Sequence, residues 1–373
     1  MNFINNEPII AQYIDTFYTQ KERDFINSNL ELDFSIEAFK KDFSSKAWLN
    51  VETKYKNLLP YTNLNDFHLE VADRGSYFIK KIFDKYVDED TFVIYSSFEH
   101  PNVLKEIEKV KYKKCLFYHE IIGFDFETIL DDFYKSNCNK VFVYVPGTSV
   151  CTGQIIPQRF YLNIKTACDK HNIKAKLMCD DVHGMFITPR DYSIFDFILY
   201  TCHSYIPGFD MGMLWSKESE ILGFTNTDRA ELYYSKLSLF LSKFDKVRLF
   251  PILLTEYFAE ELADSTHLDL YTNTTSHIFA LKTKGLVFNQ AYYDKCNEYR
   301  VELGETKAYV NFIRMRIQEF VLKDSGFILN GLQTIKDAIK SFKKKAEIYE
   351  NGIIFDNTKN INQKITEHIL FVD

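Results

Sequence analysis

An acidic pair and a histidine follow one apolar run of the sequence, at Asp180, Asp181 and His183. A second apolar run ends in a Thr-x-His sequence, at Thr201 and His203. Carboxylates and imidazoles hold cationic groups, transfer protons or bind divalent metals. Open α/β sheets place such groups at the carboxyl ends of their strands. The two runs therefore predict ligand-binding groups at two strand ends.

The elements that would position these residues alternate regularly from about residue 64. Near-continuous apolar runs alternate with amphipathic helices, which is typical of a mostly parallel sheet covered on both faces. The predicted strands are 67–72, 91–96, 115–119, 141–145, runs ending near Cys179 and His203, and 211–215. The predicted helices between and after them are 76–86, 102–110, 126–134, 157–172, 229–242 and 250–264.

The alternation predicts three parts of the chain. Residues 1–45 form a helical N-terminal arm, with one helix over 9–26 and another capped by Ser35. Residues 46–255 form a large α/β domain, and residues 256–373 form a smaller C-terminal α/β domain. Strands at 278–282 and 312–317 and a helix at 334–349 are predicted in that smaller domain.

Composition limits the partners and the environment. The 373 residues carry a net charge of −7, so a nucleic acid is not an expected partner. No apolar stretch is long enough to cross a bilayer, and no secretory signal opens the sequence. The 7 cysteines include no CxxC pair and are expected to be reduced thiols. A cytoplasmic location without membrane attachment is therefore expected.

Three further motifs follow predicted strands. Gly75-Ser76 forms a turn before a helix, where backbone N–H groups favour a phosphate, although in isolation such a turn is more often ordinary helix capping. Glu99-His100-Pro101 supplies an imidazole, which in isolation is typical of a surface loop. The third motif runs from Pro146 to Pro157 and contains Thr152-Gly153.

The order and spacing of these motifs over residues 65–216 resemble fold type I enzymes that use pyridoxal 5′-phosphate (PLP), above all class V aminotransferases and cysteine desulfurases. The resemblance implies that Asp180 binds the ring nitrogen and that His100 stacks on the ring. It implies a cofactor-binding role for six further residues: Gly75, Ser76, Thr152, His183, Thr201 and His203. It also implies a homodimer that acts on a small-molecule amine or amino acid.

The sequence departs from this family at the residue after the Thr-x-His sequence. The family carries its Schiff-base lysine there, whereas this chain has Ser204, and no lysine lies between Lys176 and Lys217. That lysine anchors PLP covalently and transfers the substrate proton, which a serine cannot do in the ordinary way. The resemblance therefore implies PLP or pyridoxamine 5′-phosphate (PMP) held non-covalently, with His203 and Ser204 at the catalytic position.

Two alternatives remain open at this point. The fold could be kept without PLP chemistry, as a pseudoenzyme or with a repurposed pocket. Alternatively, Asp180, Asp181 and His183 could bind a divalent metal, although the sequence offers few further ligands. The residue that would bind a substrate carboxylate is not identified by any motif, and Arg314 and Arg316 are the candidates considered for it.

Overall fold

The structure of the chain is a computed structural model. The described residues are 20–27, 46–58, 63–72, 74–96, 99–116, 121, 123–149, 155–184, 190–201, 211–219, 221, 227–242, 268–270, 278–283, 303–305 and 312–316. The chain divides into two compact units. One consists of Asp24–Val150 and Ile155–Ser242, and the other of Met1–Arg23, Cys151–Gln154 and Lys243–Asp373.

Seven strands form one sheet in the first unit. They are β1 (His68–Ala72), β2 (Thr91–Ser96), β3 (Tyr112–Leu116), β4 (Lys140–Pro146), β5 (Lys174–Asp180), β6 (Phe197–Thr201) and β7 (Gly212–Ser216). Their order across the sheet is β1-β7-β6-β5-β4-β2-β3. Only β7 runs antiparallel to its neighbours, β1 and β6. The predicted α/β fold with a mostly parallel sheet is confirmed, and the six parallel strands end at one edge, called here the carboxyl edge.

The described helices are α1 (Gln20–Asn27), α2 (Lys46–Leu58), α3 (Gly75–Tyr86), α4 (Pro101–Glu108), α5 (Leu130–Ser136), α6 (Gln158–Lys170) and α7 (Thr227–Ser242). Apolar side chains of α3 and α4, among them Phe78, Ile82 and Val103, are buried in one core cluster with Val93 and Leu199 of the sheet. Burying these side chains against the continuous apolar strands is the main force that holds this layer together. Among the described residues, no helix is both long and apolar enough to cross a membrane.

Two of the element boundaries that differ from the prediction have an identifiable physical cause. Strand β3 begins three residues before the predicted start, because Tyr112 pairs with Phe92 and the neighbouring strand, rather than the local apolar run, sets the register. The predicted helix 126–134 begins with a 3₁₀ turn, Phe126–Ile129, capped where Asp125 accepts the Glu127 N–H at 3.2 Å. The predicted helices 250–264 and 334–349, and the one capped by Ser35, lie outside the described residues.

The second unit contains four described strands, β8 (Leu268–Leu270), β9 (Ile278–Thr283), β10 (Leu303–Glu305) and β11 (Phe312–Arg316). They form an antiparallel sheet in the order β10-β11-β9-β8. The two strands predicted from sequence in this region are confirmed as β9 and β11. Arg314 and Arg316, the candidates for a substrate carboxylate, pair with Ala280 and Ile278 on β9.

Candidate functional site

The predicted site residues that the structure describes all follow strands at the carboxyl edge. Gly75 and Ser76 come after β1, His100 after β2, and Asp180 and His183 at and after the end of β5. Thr201 ends β6. Because these strands are parallel, the sheet brings all six residues to one edge, as predicted. Thr152, His203 and Ser204 lie outside the described residues.

The turn after β1 passes directly over the start of β7 and forms the anion cradle, defined here as Gly75, Thr201 and Gly212. A Cβ atom on Gly75 would lie 2.8 Å from Thr201 Cγ2, and one on Gly212 would lie 2.7 Å from the Gly75 nitrogen. Only glycine permits this approach. The Thr201 hydroxyl is buried without a hydrogen-bond partner in the described part of the chain, and the side chain of the N-cap residue of α3, Arg74, makes no capping hydrogen bond. The backbone N–H groups of the first turn of α3 and the Thr201 hydroxyl are therefore hydrogen-bond donors suited to an anion such as a phosphate.

Asp180 ends β5 with a half-buried carboxyl group that two donors orient. The Tyr144 hydroxyl donates to Oδ2 at 2.6 Å, and the Val182 N–H donates to Oδ1 at 3.3 Å. Burial raises the pKa of Asp180 to about 6, although both hydrogen bonds act to lower it. The group is therefore mostly ionised at neutral pH and suited to hold a cationic ring nitrogen by a charge-assisted bond.

Glu99 is a further carboxyl group at this edge, and no role was predicted for it from the sequence. It is 4% exposed, and its Oε1 has no hydrogen-bond partner. Burial, and then the charge of Asp180, raise the pKa of Glu99 well above its usual value. Two carboxyl groups with raised pKa values therefore lie near each other, which is a pattern characteristic of binding and catalytic sites.

The two histidines of the prediction lie in different environments. His100 is exposed and is the N-cap of α4, where its Nδ1 accepts the Asn102 N–H at 3.2 Å. His183 is buried in the turn that follows β5. Stacking of His100 on a ring, and a polar contact from His183, remain predictions from the resemblance.

Asp181, Arg190 and Tyr192 form a buried group, called here the Asp181 network. The Tyr192 hydroxyl donates to Asp181 Oδ2, and Arg190 Nε lies 3.6 Å from the same oxygen. Burial raises the pKa of Asp181, whereas Arg190 acts to lower it. Arg190 also donates to two backbone carbonyls, of Ile156 at 2.9 Å and of Gly147 at 2.8 Å. Asp181 is thus an ion-pair partner within the core.

These contacts bear on the metal alternative for Asp180, Asp181 and His183. Within the described part of the chain, no group of three or more His, Cys, Asp or Glu side chains could hold a metal ion. Tyr144 and Val182 contact the carboxyl group of Asp180, and Tyr192 contacts that of Asp181. The donors at this edge therefore match a cationic organic ring and an anion better than a divalent metal.

Sequence reasoning missed Tyr144, Arg190 and Tyr192. Tyr144 belongs to the apolar run of β4, and its hydroxyl could have been identified only by the register that places β4 beside β5. Arg190 is an isolated cation between two apolar runs and has the sequence signal of a surface residue. Its burial was not predictable from its neighbours.

No protein-family model matches the chain, and no curated protein sequence matches it either. Solved structures do. A NifS-like protein from Rickettsia africae superposes with a TM-score of 0.63 at 14% identity, over 89% of this chain and 98% of its own. A multiple substrate aminotransferase from Thermococcus profundus gives 0.63 at 11% identity, over 92% and 96%.

A kynurenine aminotransferase from Pyrococcus horikoshii, solved in complex with PMP, gives a TM-score of 0.62 at 11% identity, over 92% of this chain and 95% of its own. At such identities the likeness shows the fold alone. This chain has the fold of the fold type I PLP-dependent enzymes, as the motifs predicted.

Proposed function

We propose that this chain is a divergent fold type I protein, of the class V aminotransferase type, that binds PLP or PMP without a covalent bond. It acts on a small amine or amino acid. The observation that carries the proposal is the coincidence of the anion cradle and the Asp180 carboxyl group at one edge of one sheet. The turn after β1 and strands β6 and β7 supply the cradle, and strand β5, which lies next to β6, supplies the carboxyl group.

Each described residue has a distinct role in holding the vitamer. The N–H groups of Gly75 and Ser76 and the unpartnered Thr201 hydroxyl bind the phosphate. Asp180 binds the ring nitrogen and keeps it protonated, because an ionised carboxylate favours the cationic form of its partner. When bound, such a ring supplies an electron sink for carbanion chemistry at the carbon next to an amine.

Further contacts are proposed from the resemblance. His100 covers one face of the ring from the start of α4, and His183 and Thr152 contact the ring's 3-oxygen. His203 is the basic group nearest in sequence to Ser204, so it moves the substrate proton in place of the absent lysine. Because Ser204 forms no covalent bond to the vitamer, all of the affinity comes from non-covalent contacts.

A spectroscopic titration tests the proposal. Purified protein is titrated with PMP and with PLP, and near-ultraviolet and violet absorbance is recorded after gel filtration, with Asp180→Asn as the control. We expect a retained band in the wild type and a weaker one in Asp180→Asn. In Ser204→Lys, borohydride treatment with PLP should add the mass of the reduced vitamer to that lysine. Absence of retained vitamer in the wild type together with an unmodified Ser204→Lys protein would refute the proposal.

The alternative without PLP chemistry is supported by one specific observation, the serine at position 204. On that reading the Asp180 carboxyl group and the anion cradle are retained for a different anionic ligand or for a partner protein. The same titration separates the two functions, because the alternative predicts that Asp180→Asn leaves vitamer retention at the background level of the wild type.

We also propose that the chain forms a homodimer, as the resemblance implies. Light scattering at micromolar concentration should give twice the mass of one chain. A monomer mass over that range would count against the homodimer and leave the vitamer titration as a separate question.

A further inference from the structure

We propose that the Asp181 network is a positioning device that sets the location and the charge state of Asp180. The inference rests on the proposed function in one respect, since Asp180 is taken as the partner of a ring nitrogen. It assigns Asp181, Arg190 and Tyr192 a role beyond that of stabilising the core.

The first step is a chain of hydrogen bonds from Arg190 to Asp180. Arg190 Nη2 donates to the Gly147 carbonyl at 2.8 Å, and the Gly147 N–H donates to the Asp180 carbonyl at 2.8 Å. One residue further along, the Asp181 N–H donates to the Leu199 carbonyl at 3.0 Å. These hydrogen bonds fix the backbone of Asp180 between β4 and β6. Arg190 donates the first hydrogen bond of the series.

The second step concerns the two stems of the segment that follows β4. Thr148 and Ile155 form an antiparallel bridge, and the Ile156 N–H donates to the Gly147 carbonyl at 2.9 Å. Arg190 Nη1 donates to the Ile156 carbonyl at 2.9 Å, so one guanidinium group contacts both stems. A planar fork with five donors can do this, whereas a lysine ammonium cannot bridge both carbonyls in the same geometry.

The third step is the close packing around the Asp181 carboxyl group. A Cβ atom on Gly147 or on Gly184 would collide with Asp181 Oδ1. Asp181 and Arg190 side chains are 0% and 2% exposed. The carboxyl group and the guanidinium therefore have no room for another arrangement, and they hold the turn after Asp180 against Gly147.

The last step is electrostatic. Asp180 faces the Tyr144 hydroxyl from β4, the Glu99 carboxyl group from the segment after β2, and Asp181 from its own turn. The charge of Asp181 acts to raise the pKa of Asp180. Burial raises the pKa of Asp181, and Arg190 acts against that effect by favouring the ionised carboxylate. The pair therefore acts on the protonation state of Asp180 without contacting the vitamer.

Three variants test this, Arg190→Lys, Asp181→Asn and the milder Tyr192→Phe. The matched control is Lys176→Gln, because Lys176 lies on the same strand β5 and its ion pair with Asp196 is at the opposite edge of the sheet. Two readouts need no vitamer. They are the exchange rates of the Gly147 and Ile156 amides and the pKa of Asp180, followed by NMR of carboxyl-labelled aspartate and assigned with Asp180→Asn.

We expect Arg190→Lys to speed exchange of both amides by about tenfold or more, since a hydrogen bond from a charged donor is lost at each stem. Asp181→Asn should lower the pKa of Asp180, and the acid limb of PMP binding should move to lower pH by the same amount. PMP affinity should fall by about tenfold in Arg190→Lys and less in Tyr192→Phe. Lys176→Gln should change neither the amides nor the pKa of Asp180.

The outcomes separate the two proposals. If wild-type protein binds no PMP while the amides and the pKa of Asp180 respond as expected, the proposed function fails and the positioning role stands. If Arg190→Lys, Asp181→Asn and Tyr192→Phe lower the melting temperature but leave the amides and the pKa of Asp180 like those of Lys176→Gln, the network is only structural and this inference is overturned.

Discussion

Ion pairs at the two edges of the seven-stranded sheet differ in how deeply they are buried. At the amino edge, where the parallel strands begin, Lys176 pairs with Asp196 and with Glu218 at 3.2 Å, and these side chains are between 22% and 38% exposed. At the carboxyl edge, Asp181 and Arg190 are almost fully buried. Water therefore screens the attraction within the ion pairs at the amino edge. The pair at the carboxyl edge is little screened, and each of its charges needs the other to offset the cost of burial.

Hydrogen-bond satisfaction shows the same contrast. Several buried side-chain polar atoms in the described part of the chain have no hydrogen-bond partner. Six of them belong to residues at or next to the carboxyl edge: Glu99, Thr148, Asp181, Arg190, Tyr200 and Thr201. Folded proteins leave few such groups, and those that they leave concentrate at binding sites. Most of the unsatisfied polar atoms named here therefore lie at the edge where we propose the ligand site.

The largest expected effect compares the two ion pairs directly. Arg190→Met should lower the free energy of unfolding by about 3–5 kcal/mol, because it leaves the Asp181 carboxylate buried without its cation. Lys176→Met should cost less than about 1 kcal/mol, since its partners are partly exposed and remain hydrated. Urea unfolding of both variants measures the difference. Equal losses would show that the two edges are energetically alike.

The next effect separates binding from stability at Asp180. Asp180→Asn should weaken PMP binding by about 1.5–3 kcal/mol, or ten- to a hundredfold, because a charge-assisted hydrogen bond is lost. It should not lower the melting temperature, because burial already disfavours the charged form of this carboxyl group. Isothermal titration and thermal unfolding at pH 7.5 test both parts. Normal PMP affinity together with a lowered melting temperature in Asp180→Asn would show that Asp180 contributes to stability and not to binding.

The contributions of carboxyl groups to stability should also depend on pH in opposite ways at the two edges. Burial raises the pKa of Glu99, so its contribution to stability is fully present below its unfolded pKa and is lost as the pH rises through the folded value. At Glu218, burial acts to raise the pKa, but the Tyr86 hydroxyl and Lys176 outweigh it and lower the value. Its contribution is therefore present at neutral pH and lost only as the pH falls through that lowered value.

Melting temperatures of Glu99→Gln and Glu218→Gln at pH 8 and pH 5 test this contrast. The melting temperature of the wild type, relative to that of Glu99→Gln, should rise by at least about 2–4 °C when the pH is lowered from 8 to 5. The gap between wild type and Glu218→Gln should stay constant over the same range. A constant gap for Glu99→Gln would mean that Glu99 is ionised in the folded protein.

The smallest expected effect refines the role of Tyr144. Tyr144→Phe removes the hydroxyl that donates to Asp180 at 2.6 Å, so the pKa of Asp180 should rise further. PMP affinity at pH 6 should fall by about 1 kcal/mol, the usual worth of one hydrogen bond, and the loss should be smaller at pH 8. Tyr134→Phe on the exposed face of α5 is the control. A loss independent of pH would assign Tyr144 a packing role only.

The fold class and the edge that carries the candidate site residues could be predicted from local sequence patterns. Repeating apolar strands and amphipathic helices are local patterns, and they specify a mostly parallel sheet without knowledge of distant contacts. Motifs that directly follow such strands must then share an edge, which is why Gly75, His100, Asp180 and Thr201 all lie at or just after strand ends on the carboxyl edge. The start of β3 was misplaced, because register with β2 decides where an edge strand begins.

The burial of these residues and their contacts could not be predicted, because they depend on parts of the chain that are distant in sequence. Arg190 bonds to Ile156 and Gly147, which are 34 and 43 residues away in the chain, and no local pattern encodes those distances. The burial of Glu99 and the hydrogen bond from Tyr144 to Asp180 likewise depend on which strands are neighbours. Local periodicity fixes the strands and helices, but charges and pKa values depend on the medium and on through-space neighbours, which exist only once the sheet has formed.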